Sequence, residues 1–114
     1  MCLNFYLVPT PPKDINISHI NASSSWLISW SSVDPSPQYW NITGYIVFYK
    51  EHAEPLLSYR GLPTAYANIT LSGLKVGTRY ICHVVAYNAL GNGIPSDALE
   101  FGTSLEVFEG KIRA

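Results

Sequence analysis

The feature that most constrains the fold is an alternating run at positions 80–87, written YICHVVAY. Successive side chains of a β-strand point to opposite sides, so each set of alternate positions forms one face. One face is apolar: Tyr80, Cys82, Val84 and Ala86. The other is also mostly apolar, where a strand with one solvated face usually carries polar residues: Ile81, His83, Val85 and Tyr87. The run predicts a β-strand whose second face needs internal cover or a partner.

The rest of the chain divides into similar short alternating runs that are separated by turn residues. No segment has a convincing helical period, and sequences such as VDPSPQ and NALGNGIPS are typical of loops and turns. Short alternating segments with frequent turn signals predict an all-β sandwich. We predict seven strands, at residues 15–17, 25–30, 44–50, 56–59, 67–74, 80–87 and 98–103.

Size and charge limit the classes of function. At 114 residues the chain is long enough for one hydrophobic core. Charged residues make up 13%, about half the usual fraction, so solubility must come from Ser, Thr and Asn, either alone or together with attached sugar. A formal net charge of −1 without a basic run argues against binding to nucleic acid. No run approaches the ~20 apolar residues of a membrane span, so we expect no direct membrane insertion.

The start of the chain does not read as a targeting segment. Residues 1–8 include an apolar run but no basic flank, and have only about half the length of a signal peptide. If the protein is secreted, we therefore expect this chain to be a fragment that lacks its own signal.

The segment LKVGTRYICHVVAYNALGNGIPS resembles the pattern L-x-P-G-T-x-Y, then Y-x-V-x-V-x-A-x-N-x-x-G-x-G-x-P-S, of fibronectin type III modules. The matching positions are Leu74, Gly77, Thr78, Tyr80, Val84, Ala86, Asn88, Gly91, Gly93, Pro95 and Ser96. The leading PTPP, Trp30 and GYIVFY extend the resemblance to residues 9–103, with 1–8 as a lead and 104–114 as a linker or tail. The departures are Val76, where proline is usual, and Cys82, where an aliphatic residue is usual.

The resemblance implies an immunoglobulin-like, Greek-key sandwich of two sheets, A-B-E and C′-C-F-G. In such a module Trp30 fills the core between the sheets, and the Tyr80 hydroxyl bonds backbone near the preceding turn. Asn88, Gly91 and Gly93 are expected to shape the turn between the last two strands, with the glycines supplying positive φ.

Residues that could carry catalysis or bind metal are few and scattered. His19, His52 and His83 lie far apart in the sequence, and Cys82 and His83 point to opposite faces of one strand. A disulfide between Cys2 and Cys82 stays open, although the apolar alternation favours a buried thiol at Cys82. We expect no enzyme activity, no metal and no cofactor.

Four N-glycosylation triplets point to the secretory pathway. The acceptors are Asn16, Asn21, Asn41 and Asn68. Seven asparagines give about one such triplet by chance, so four favour a glycosylated extracellular protein. The alternative is that Asn, Ser and Thr simply occupy exposed positions. Asn16 and Asn68 are expected to point outward from strands of the A-B-E sheet, Asn21 to lie in the A–B connection and Asn41 in the B–C loop.

The outward side of strands C and F is the candidate protein-binding face. It consists of six residues: Ile46, Phe48, Ile81, His83, Val85 and Tyr87. Cross-strand neighbours lie within about 5 Å, so they form one patch, and a solvated monomer rarely exposes a large apolar patch. Two alternatives stay open: cover by the C′ segment PLLSY or by the tail, and the general preference of β-branched and aromatic residues for strands.

Together these features predict a non-catalytic extracellular module of a larger receptor or cell-adhesion protein, acting as a spacer and in protein–protein contacts. Its partners would be other proteins, neighbouring modules or a second copy. Two alternatives follow from the same fold: an intracellular structural module of a giant muscle or cytoskeletal protein, and a passive spacer attached to a secreted enzyme. The absence of a disulfide scaffold mildly favours the intracellular alternative.

Overall fold

The computed structural model describes residues 9–20, 25–33 and 42–102. In this part of the chain, eight strands and one 3₁₀ turn at Leu56–Ser58 are formed. The strands are β1 Lys13–His19, β2 Trp26–Ser31, β3 Gly44–Glu51, β4 Arg60–Thr64, β5 Asn68–Leu71, β6 Arg79–Asn88, β7 Gly91–Asn92 and β8 Leu99–Gly102. No helix among these residues has the length and hydropathy needed to cross a membrane.

Two antiparallel sheets build the sandwich. The smaller sheet has the order β1-β2-β5, and the larger has the order β4-β3-β6, with both β7 and β8 pairing with β6. These correspond to the A-B-E and C′-C-F-G sheets, so the predicted all-β sandwich and its division into two sheets are confirmed.

The predicted position of the fourth strand is wrong. Residues 56–59 contain the 3₁₀ turn, and the strand that pairs with β3 is β4. The chain first makes a tight turn, in which the Glu54 carboxylate accepts a hydrogen bond from the Glu51 amide at 3.0 Å. The first residue after this turn that packs inward is Leu62, which pairs with the fully buried Val47.

Inward-facing rows of both sheets fill the space between them. In the smaller sheet, Ile17, Ile28 and Ile69 are register partners and form one such row. Trp30 is 6% exposed and packs edge-on against Tyr45, with ring centroids 5.4 Å apart. Full burial of a large apolar side chain stabilises a fold by about 1.5–3 kcal/mol, so these rows dominate its stability.

The two turns flanking β6 are held by specific contacts. The Tyr80 hydroxyl accepts a hydrogen bond from the Lys75 amide at 3.0 Å, and the Asn88 side-chain oxygen accepts one from Leu90 at 2.9 Å. Gly91 has a φ of 138°, in the region that favours glycine. The expectation of positive φ at Gly93 is wrong: a Cβ there would instead collide with the carbonyl oxygen of Pro9, so the close approach of backbone requires glycine.

Candidate protein-binding face

The register between β3 and β6 brings the six predicted face residues together. Ile46 pairs with Val85 and Phe48 pairs with His83, while Ile81 and Tyr87 continue the same side of β6. We call these six residues the outer face. It lies on the side of the larger sheet that points away from the core, because the intervening positions of both strands are buried between the sheets.

The outer face is a partly buried layer. Five of its residues are intermediate in exposure, but Val85 is only 3% exposed. The expectation that Val85 is available to a partner is therefore wrong. Val84 and Val85 point to opposite sides of β6 and are both buried, so the strand is buried on both sides at its centre.

A stack of aromatic rings occupies the middle of the outer face. The rings of Phe48 and His83 are stacked with centroids 5.3 Å apart, and Tyr59 meets His83 edge-on at 5.1 Å. Burial in this stack lowers the pKa of His83. Tyr59 comes from the PLLSY segment, so that segment provides part of the internal cover that the sequence left open. The tail at 104–114 lies outside the described residues.

Two glycines allow the aromatic rings to lie close to the sheet. A Cβ at Gly61 would be 3.0 Å from Cε1 of Phe48 and 3.2 Å from Cγ2 of Ile46. At Gly44 a Cβ would be 2.9 Å from the hydroxyl of Tyr87. Because glycine has no side chain, Gly44 on β3 and Gly61 on β4 leave the space that these outer-face residues occupy.

Lys50, at the end of β3, fixes the turn that leads to Tyr59. Its side chain is on the outward side of the sheet, yet the residue is only 5% exposed. The ammonium donates hydrogen bonds to the carbonyl oxygens of Glu54 at 2.9 Å, His52 at 3.1 Å and Glu51 at 3.4 Å. It also lies 5.4 Å from the centre of the Tyr59 ring. One buried ammonium thus binds three carbonyl oxygens and contacts an aromatic ring.

The 3₁₀ turn that follows presents two exposed leucines. Leu56 is 76% exposed and Leu57 is 99% exposed, and both directly precede the Ser58–Tyr59 step that leads onto the outer face. Sequence reasoning missed them because it assigned residues 56–59 to a strand. The signal was present, since two adjacent leucines in a strand cannot both point to the core.

Charged groups mark one end of the outer face. The Glu100 carboxylate contacts His52 Nε2 at 3.1 Å and Arg79 at 3.6 Å, and Lys75 contacts Glu51 at 2.8 Å. The hydrogen bond that the Lys75 ammonium donates to the Glu51 carboxylate raises the pKa of Lys75. Pairs as exposed as these contribute little to stability, so they serve as a polar border to an apolar surface.

In the described part of the chain, potential metal ligands do not form a cluster. Among the described residues there is no group of three or more His, Cys, Asp or Glu side chains that could hold a metal ion. Cys82 is a buried free thiol, and burial raises its pKa to about 12. Because the thiolate is the reactive form, this thiol is inert in the folded protein.

The sequons divide between described and undescribed parts of the chain. Asn16 on β1 and Asn68 on β5 are exposed and lie on the outward side of the smaller sheet. Asn21 and Asn41 lie outside the described residues.

The described residues form a sandwich of two antiparallel sheets. The family model of the fibronectin type III domain matches residues 10–102. The chain belongs to the fibronectin type III family. Domains of this family occur in cell-adhesion and receptor proteins and also in muscle proteins, and they are generally non-catalytic.

Curated relatives of this fibronectin type III domain are much longer proteins. Protein sidekick-1 of Gallus gallus is 34% identical over 90 residues, which cover 75% of this chain and 4% of that protein. Receptor-type tyrosine-protein phosphatase F of Bos taurus is 34% identical over 95 residues, covering 75% of this chain and 5% of the other. The chain therefore spans only a small part of each relative.

Solved structures share the fibronectin type III fold closely. The FN1–FN3 domains of chicken CNTN1 superpose with a TM-score of 0.74 at 25% identity, covering 84% of this chain and 33% of that one. Domains A168–A170 of titin give a TM-score of 0.68 at 26% identity, covering 85% and 32%. These likenesses confirm the sandwich.

Proposed function

We propose that this fibronectin type III domain is a non-catalytic binding and spacing module of a larger cell-surface protein of the adhesion or receptor type. Two observations support the location: one relative is named a receptor-type phosphatase, and the chain carries four sequons. The low charge of the sequence also suits a protein whose solubility is helped by sugar.

Contacts are made through one surface, which we call the contact surface: Leu56, Leu57, Tyr59, Phe48 and His83. The observation that carries this assignment is Leu57, which is 99% exposed on a 3₁₀ turn that directly follows the turn bonded by the Lys50 ammonium. An exposed leucine on a fixed turn loses little conformational freedom when a partner covers it. Each leucine gains about 1.5–3 kcal/mol on full burial, and aromatic neighbours favour contact further.

The partner that fits this surface is another weakly charged apolar protein surface, and a second copy of the chain provides one. The charges beside it, Glu54, Arg60, Glu100 and Arg79, are mixed in sign. A surface of mixed sign can pair with itself about a two-fold axis without a net repulsion.

Sedimentation equilibrium of the chain tests this contact. Leu57→Asp should weaken self-association at least ten-fold, because it would place a charge in the apolar contact, and ten-fold corresponds to about 1.4 kcal/mol. The matched control is Leu90→Asp, which changes a leucine that is 64% exposed in the turn between β6 and β7. A monomeric wild-type chain at every concentration, or equal effects of both variants, contradicts the assignment.

The second candidate is an intracellular structural module of a muscle or cytoskeletal protein. It is favoured by the likeness to titin domains, at 26% identity and a TM-score of 0.68. Protease treatment of intact cells separates the two candidates, since an ectodomain is cleaved from outside and an intracellular module is protected.

A further inference from the structure

The sequons at Asn16 and Asn68 lie side by side in the smaller sheet. Asn16 on β1 pairs with Ser29 on β2, and Ser29 pairs with Asn68 on β5. The three residues therefore form one row across the outward side of the sheet. Because β1 and β5 are both antiparallel to β2, the two acceptor triplets run in the same direction, about 10 Å apart at two strand spacings.

The hydroxyl residues of the same two triplets form the next row. Ser18 pairs with Leu27, and Leu27 pairs with Thr70. The four sequon residues in these two rows are all exposed: Asn16, Ser18, Asn68 and Thr70. Leu27, which lies between Ser18 and Thr70, is half-buried. The two triplets are far apart in the sequence. The strand register places them at the same level on either side of β2.

The two strands that bear these sequons are also the two outer strands of their sheet. An outer strand presents unpaired backbone groups that can pair with another chain, and proteins commonly protect it with charged residues or proline. The outward rows described above contain only amide, hydroxyl and leucine side chains. β1 also contains two charged residues, Lys13 and Asp14. Both precede the register shift of β1, whereas its regular pairing with β2 runs from Asn16 to His19.

We propose that Asn16 and Asn68 both carry N-linked glycans, and that this pair protects the two edges of the smaller sheet from edge-to-edge association. The inference rests on the extracellular part of the proposed function. In the transfer, Nδ2 of the asparagine forms a bond to C1 of the first sugar, and the bond from C1 to the phosphate of a lipid-linked pyrophosphate donor breaks. The amide proton and the lipid pyrophosphate leave.

The consequence is a module with two different sides. Sugars on Asn16 and Asn68 stand over β2 and shield Leu27 and Ser29, which lie between them. They also obstruct a second chain that approaches either β1 or β5 in the plane of the sheet. The contact surface is built on the larger sheet, so it stays open to a partner.

Occupancy is tested by producing the chain in a secretory cell behind a cleavable signal. Enzymatic removal of N-glycans in isotope-labelled water converts each modified asparagine to a labelled aspartate, which peptide mass spectrometry locates. We expect the label at both Asn16 and Asn68. Absence of the label at either residue overturns the proposal. This readout does not depend on where the natural protein resides, so it can fail independently of the proposed location.

The protective role is tested in a Leu57→Asp background, where the contact surface is disabled. Asn16→Gln with Asn68→Gln should convert a monomer to concentration-dependent oligomers in sedimentation. The matched control, Asn21→Gln with Asn41→Gln, also removes two sequons and should leave the chain monomeric. Equal behaviour of the two double variants overturns the role.

A second measurement avoids any effect of substitution on folding. The glycosylated Leu57→Asp chain is trimmed in the folded state with an endoglycosidase that leaves one sugar on each asparagine. Oligomers that appear on trimming, with an unchanged circular dichroism spectrum, support the protective role. A trimmed chain that stays monomeric contradicts it.

Discussion

Replacing Lys50 by methionine should loosen the turn at residues 51–54, which directly precedes the 3₁₀ turn with the two exposed leucines. Methionine keeps most of the length of the side chain and its apolar contacts but removes the ammonium. Lys50 is 5% exposed, and its Nζ lies 2.9 Å and 3.1 Å from the carbonyl oxygens of Glu54 and His52. A third carbonyl, that of Glu51, is at 3.4 Å and contributes less.

The expected loss of stability follows from the two shorter hydrogen bonds of Lys50, to the carbonyl oxygens of Glu54 and His52. A hydrogen bond to a charged group contributes about 1.5–3 kcal/mol to stability, so two bonds at the lower figure give about 3 kcal/mol. His52 and Ala53 are exposed, so the freed carbonyls of this turn regain water. We therefore expect the free energy of unfolding of Lys50→Met to fall by about 2 kcal/mol.

Urea denaturation measures this loss, with a lower midpoint and an unchanged slope. Lys75→Met is the control: that ammonium is bonded to Glu51 beside the same turn, but its side chain is 72% exposed. Its midpoint should move much less. Equal shifts for the two variants would refute the idea that the buried cation organises the turn.

Two further predictions concern the aromatic stack and the backbone. Burial lowers the pKa of His83, so protons bind preferentially to the unfolded chain and the free energy of unfolding should fall as the pH drops below 6.5. His83→Phe should remove that part of the pH profile, and identical profiles for both proteins would count against it. Gly93→Ala should lower the free energy of unfolding by about 1–3 kcal/mol, because the added methyl group would collide with the Pro9 carbonyl. Gly102→Ala, whose nearest atom is 4.0 Å away, should lower the melting temperature much less, and equal shifts would contradict this explanation.

The sandwich could be predicted because its signals are local. Alternation at 80–87 and the turn residues after it define β6 and the turn that follows, and the structure places Tyr80, Cys82, Val84 and Ala86 in the core. The pairing of sheets then follows from the family resemblance. The alternation and the family motif are both carried by residues that lie close together in the sequence.

The parts that could not be predicted depend on contacts between distant residues. Residues 56–59 indicate only a weak strand, and strand propensity does not include the hydrogen bonds that the Lys50 ammonium donates to carbonyls of the preceding turn. Val85 is 3% exposed although it occupies an outward position of β6, and alternation alone predicts exposure there. The match of Asn16 to Asn68 requires the register of three strands, and no pattern within either triplet specifies it.

The most direct test of the account is the association constant of the glycosylated chain, measured by sedimentation equilibrium with and without Leu57→Asp. We predict reversible self-association that weakens at least ten-fold in Leu57→Asp and is unchanged in Leu90→Asp. An association constant that is the same in all three proteins would contradict the claim that the turn at Leu56–Ser58 presents the contact surface of this module.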